Sequence, residues 1–101
     1  MKLAKTDRAT LDTFGKLAQY GLKLEFEDKL FEEFFRSALE SLIVKLHKAS
    51  KRIVKALTLQ ITSAEAICLR WTLEFWREKV PNSYEIAVAQ KYFPELNQKP
   101  L

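Results

Sequence analysis

From Phe35 to Ala56 the residues Phe35, Leu39, Leu42, Leu46, Ala49, Ile53 and Ala56 recur at intervals of 4, 3, 4, 3, 4 and 3. A helix places residues at this spacing on one face, and an apolar face of that length has to be covered by other elements. The feature makes a long helix the axis of the fold. Phe31, Phe34, Ala38 and Ile43 widen the seam near its start, as in a helix packed among several neighbours rather than in a bare coiled coil. The helix is expected over about residues 27–56. Glu25, Asp28 and Glu32 crowd its start and basic groups crowd its end, and both placements suit the helix dipole.

Local signals set the other elements. A helix is expected over about 7–20, capped by Thr6 or Asp7, with Leu11, Phe14, Leu17 and Ala18 on one face. Gly21 is expected to stop it. Gly15 weakens it by about 1 kcal/mol, which is tolerable if the backbone packs closely against a neighbour there. Thr62 and Glu65 have the spacing of a capping box, and a third helix is expected over 63–79, ending before Pro81. A fourth is expected over 83–93, opened by Asn82 with Glu85 three residues on and closed before Pro94. Between the second and third, Leu57 to Ile61 alternates apolar and polar. Residues 57–61 are expected to be extended, either as a connector with Leu57, Leu59 and Ile61 turned inward or as a short strand.

Two Gly and three Pro in 101 residues argue against a turn-rich β fold, and 48% apolar residues suffice for a core. The expectation is one all-α domain over 1–101, a small bundle of about four helices, with 1–5 and 95–101 loosely ordered. The single Cys68 excludes an intramolecular disulfide. The first residues lack the apolar core of a secretory signal, and no apolar run approaches the ~18 residues of a membrane span. These features point to a soluble cytoplasmic protein without a membrane partner.

For catalysis the chain offers little. Cys68 shares an apolar helix face with Ile67 and Trp71, which favours a buried neutral thiol over a nucleophile. His47 stands beside Lys45 and Lys48, which disfavour its protonation. One His and one Cys do not make a typical zinc site, and Gly15 and Gly21 cannot form a phosphate loop. Glu25, Asp28 and Glu32 share a face but read as a solvated one. The expectation is a non-enzymatic protein without cofactor or metal.

The charge is concentrated. Residues 45–55 hold Lys45, Lys48, Lys51, Arg52 and Lys55 with no acidic residue, and so account for the net +4 of the chain. Lys45, Lys48, Arg52 and Lys55 form a stripe beside the apolar seam. It reads as a solvated face, as a contact for an acidic protein partner, or as a phosphate contact. On the last reading, the alternating segment, the capped third helix and a further helix opening with "NSYEI" resemble the order of a ribbon-helix-helix dimer over residues 55–93. That resemblance implies strands paired between two chains, with Thr58 and Gln60 toward the bases and Leu57, Leu59 and Ile61 toward the core.

The third helix has two apolar faces. Ala64, Ile67, Cys68, Trp71 and Phe75 form one; Ala66, Leu69, Leu73, Trp76 and Val80 form the other. A helix apolar on both sides has to be covered on both. Leu69, Leu73 and Trp76 are the candidate oligomer interface, Trp being enriched at such sites. The function expected is protein–protein interaction in an accessory or regulatory role, as a homodimer. The alternative is a nucleic-acid-binding dimer with Lys48, Lys51, Arg52 and Lys55 on phosphate.

Overall fold

The computed structural model describes residues 1–52 and 55–94. They form, in chain order, β1 (Lys2–Asp7), α1 (Arg8–Leu22), α2 (Lys29–Arg52), β2 (Ala56–Gln60), α3 (Ser63–Lys79) and α4 (Tyr84–Ala89). The chain is mostly helical, as its periodicity requires, but it also carries a two-stranded antiparallel sheet, so the all-α reading is incomplete.

Asp7 caps α1, its carboxylate accepting from the Thr10 amide at 2.8 Å. Leu11, Phe14, Leu17 and Ala18 are buried. Gly21 does not stop the helix, which runs to Leu22 with Lys23 as its C-cap. A Cβ at Gly21 would lie 2.5 Å from Leu39 Cδ1 and 2.7 Å from Thr72 Oγ1. The missing side chain lets α1 approach α2 and α3. At Gly15, where a close approach would have made the glycine's cost tolerable, a Cβ would meet nothing within 4 Å.

Asp28 opens α2, accepting from the Leu30 and Phe31 amides at 3.0 and 3.1 Å. Glu32 is not on a solvated face. It is buried, accepts from the Phe26 amide at 2.7 Å, and so closes the loop between α1 and α2. The predicted seam is the core: Phe35, Leu39, Leu42, Leu46 and Ala49 are all buried. Ile53 lies outside the described residues. Ala56 belongs to β2 and is exposed, because the chain has already left the helix.

The extended segment is a strand, and its partner is the start of the same chain. Lys2 pairs with Gln60, Leu3 with Leu59, Thr6 with Leu57 and Asp7 with Ala56. Residues 1–5 are therefore not loosely ordered: Leu3 and Leu59 are buried side by side under the ribbon. Residues 95–101 lie outside the described residues.

The capping box closes as its spacing predicts. Glu65 N donates to Thr62 Oγ1 at 3.1 Å and Thr62 N to Glu65 Oε1 at 2.7 Å, and α3 occupies Ser63–Lys79. At α4 the cap is Ser83, not Asn82, and the helix ends at Ala89 rather than near 93. The Ser83 hydroxyl also accepts from Trp76 Nε1 at 3.1 Å, a tertiary bond that Asn82 does not make. Helices α1, α2 and α3 pack on one another around a single core, α4 lies against α1 and α3, and the ribbon closes the end where α1 begins.

Candidate interaction surfaces

The sequence placed Lys45 in the basic stripe, but the fold uses it internally. Its ammonium lies 2.6 Å from Glu65 Oε1, and Ser41 Oγ donates to Glu65 Oε2 at 2.8 Å. The Glu65 side chain is nearly fully enclosed. Burial alone would raise its carboxyl; the Lys45 ammonium, the Thr62 amide and the Ser41 hydroxyl outweigh that and hold it below the usual carboxylate range. Glu32 is held low by the Phe26 amide first, then against the opposing effect of burial by Arg36 and Lys29.

Lys48, Lys51, Arg52 and Lys55 are exposed, and so are Thr58 and Gln60 on the outer side of β2. The fold adds residues that the sequence reading left out. Lys2 stands opposite Gln60, and Ala4 and Lys5 both lie opposite Thr58. Two residues facing one make a β-bulge, and Lys5 takes a left-handed conformation with φ 54°. The effect on orientation is decisive. Simple alternation after buried Leu3 would turn Lys5 inward and Thr6 outward. With the extra residue, Lys5 is exposed and Thr6 is buried. Tyr92 holds the bulge, its hydroxyl donating to Ala4 O at 3.1 Å and Lys5 O at 3.4 Å, and Lys91 Nζ reaches Lys5 O at 3.3 Å. The sequence carries no period-two clue to this, because Leu3 and Thr6 are three positions apart and their partner strand is some fifty residues away.

The proposed interface on α3 is on the wrong side. Leu69 and Leu73 are 0% exposed within this chain, where they pack in the core shared with α1 and α2. Trp76 stacks edge-on against Tyr20 at 5.1 Å and donates to Ser83, so it joins α1, α3 and α4. The other apolar face is the one left uncovered. Ile67, Trp71 and Phe75 are 54%, 45% and 36% exposed, and Leu30 and Phe34 on α2 are 79% and 48% exposed. These positions meet across the two helices: the Phe31 ring lies 5.3 Å from Trp71 and 6.4 Å from Phe34. Beneath them Phe26 packs against Phe31, Phe35 and Phe75 at 5.1, 4.9 and 6.3 Å. The surface therefore rests on a fixed floor of aromatic rings. One signal could have found it. Arg70, Glu74 and Glu78 share the Trp71 side of α3, and charged residues accompany the solvent side of a helix.

Cys68 is buried, and burial pushes its thiol up, away from nucleophilic thiolate character. His47 is exposed, in a shallow cleft with Leu11, Asp12 and Ser50. No helix among the described residues is long and apolar enough to cross a membrane. Comparison with protein-family models, with curated proteins and with solved structures finds no match.

Proposed function

We propose that this chain acts by protein–protein interaction, in an accessory or regulatory role, and that the aromatic face of α2 and α3 is its contact surface. The observation that carries the reading is the clustering of Leu30, Phe34, Ile67, Trp71 and Phe75 at the surface over the partly buried rings of Phe26 and Phe31 and the buried ring of Phe35. At roughly 200 Å² for a large side chain fully exposed, the five present about 500 Å². A patch of that size stands at the upper end for a monomer and matches the apolar part of one side of a standard protein interface, ~65% of ~800 Å².

The occupant we propose is a second copy of the chain. A two-fold interface needs a self-complementary surface. Arg70 and Glu74 flank Trp71 on α3, and antiparallel pairing of two α3 helices about an axis near these residues turns each Arg70 toward the other copy's Glu74. The aromatic rows then cover each other. Light scattering after size exclusion tests this. Wild type is expected as a dimer at tens of micromolar and Trp71→Glu as a folded monomer. A wild-type monomer at that concentration overturns self-association.

A further inference from the structure

A second surface stands apart from the aromatic face, and a different observation carries it. The β1–β2 ribbon brings Lys2 and Lys5 from the start of the chain beside Lys55, Thr58 and Gln60, close to the last turn of α2 with Lys51 and Arg52. We propose that this ribbon lies in the major groove of duplex DNA, with its lysines and the end of α2 on the phosphates.

Three features on the ribbon support the fit. The first is charge. Between Glu40 and Glu65 the sequence has no acidic residue, and the enclosed Glu65 is paired with Lys45. Asp7, the acidic residue of β1, is occupied in capping α1 at the Thr10 amide. Lysines so gathered displace condensed counterions from a phosphate backbone, which favours binding at low salt.

The second is shape. On the outer face Ala4 and Thr58, both small, stand at the bulge beside Lys5, between the Lys2–Gln60 pair at one end and the Asp7–Ala56 pair at the other. Two strands about 4.8 Å apart, with Ala4, Ala56 and Thr58 keeping much of the outer face low, enter a groove about 12 Å wide. Thr58 and Gln60 then present a hydroxyl and an amide toward base edges. The deep, narrow major groove of A-form RNA does not admit such a ribbon.

The third is the bulge. A left-handed lysine is an unfavourable backbone state, and here it is fixed in place by Tyr92 and Lys91. Its result is a lysine turned out onto the ribbon face. That links a local strain to a display of charge.

Fluorescence anisotropy of a labelled mixed-sequence DNA duplex with the full chain, across a salt series, tests the proposal. Affinity is expected to fall steeply with salt. Lys2→Gln with Lys5→Gln should weaken binding at least tenfold and reduce the slope of log affinity against log salt by about one per lysine. Lys5→Gly separates charge from folding, because it removes the charge and relieves the backbone; binding should weaken while the thermal midpoint rises. Lys23→Gln, at the far end of the 15-residue α1, should leave binding unchanged. Absence of binding at low salt overturns the proposal. So does equal weakening by Lys23→Gln, or equal affinity for duplex RNA or heparin, which would mark generic charge attraction. None of these results bears on the oligomeric state, so the aromatic face stands or falls separately.

Discussion

Lys45 Nζ and the Thr62 amide converge on one oxygen of Glu65, at 2.6 and 2.7 Å. A single carboxylate thus closes the capping box of α3 and ties that helix to α2. Replacing Lys45 with Met leaves an enclosed carboxylate short of a cation. Because Lys45 is itself partly in water, the cost should fall below that of breaking a fully buried pair, at about 2 kcal/mol by urea denaturation.

The same carboxylate makes stability depend on pH with a definite sign. Its folded pKa is below its unfolded value, so its contribution is complete above the unfolded carboxyl pKa and is lost as pH falls through the folded value. Thermal midpoints measured from neutral pH into the acid range should decline, and the decline should be shallower in Glu65→Gln. Identical acid limbs for both proteins would refute this. Asp7, Glu32 and Glu85 are shifted the same way, so some acid sensitivity should persist in the variant.

The two glycines of α1 should respond oppositely to alanine. Gly21→Ala forces a Cβ against Leu39 and Thr72, both buried, and should cost about 1–3 kcal/mol. Gly15→Ala meets open space inside a helix and should stabilise by up to about 1 kcal/mol. Chemical denaturation of the pair decides it; equal effects would contradict the close approach at Gly21.

Tyr92→Phe removes the hydroxyl that holds the carbonyls of Ala4 and Lys5. The expected loss is about 1 kcal/mol, with faster hydrogen exchange concentrated in β1. Exchange that is unchanged in β1 would show that the strand does not need this tie. Lys5→Gly should raise stability by about 1 kcal/mol, since glycine takes positive φ cheaply.

Trp71 should report association directly. In Trp76→Phe, the remaining indole is the half-exposed Trp71. Its emission should move to shorter wavelength as concentration rises through the dimer transition, because covering an indole removes water from it. Emission independent of concentration would argue against an aromatic interface.

Much of the fold was legible because its signals were local. The α2 seam and the Thr62–Glu65 box each specify a helix within a few residues; the box closes as its spacing predicts, and the seam holds from Phe35 to Ala49 but not at Ala56, which lies in β2. The strand β1 was not, because Leu3 is its one large apolar residue and the bulge at Ala4 and Lys5 breaks alternation where a period-two pattern would show. The two faces of α3 were seen, but the inward one was misassigned. Which face is buried depends on α1 and on the missing Cβ of Gly21, neither of which lies near α3 in sequence. The basic stripe was found as charge alone. Its division between Lys45, paired with the enclosed Glu65, and the exposed Lys48, Lys51 and Arg52 needs the position of Glu65.

The ribbon also bears on the order of folding. Its paired residues are 49 to 58 positions apart, from Asp7 with Ala56 to Lys2 with Gln60. Closing so long a loop from an open coil is entropically costly. Once α1 and α2 have paired as a hairpin, however, their outer ends already stand together, as the Arg8 bond to Ser50 O at 3.1 Å shows. The sheet is then a late clasp on a hairpin formed first. Substitutions in it should speed unfolding and leave the refolding rate nearly unchanged, with equal slowing of refolding the contrary result.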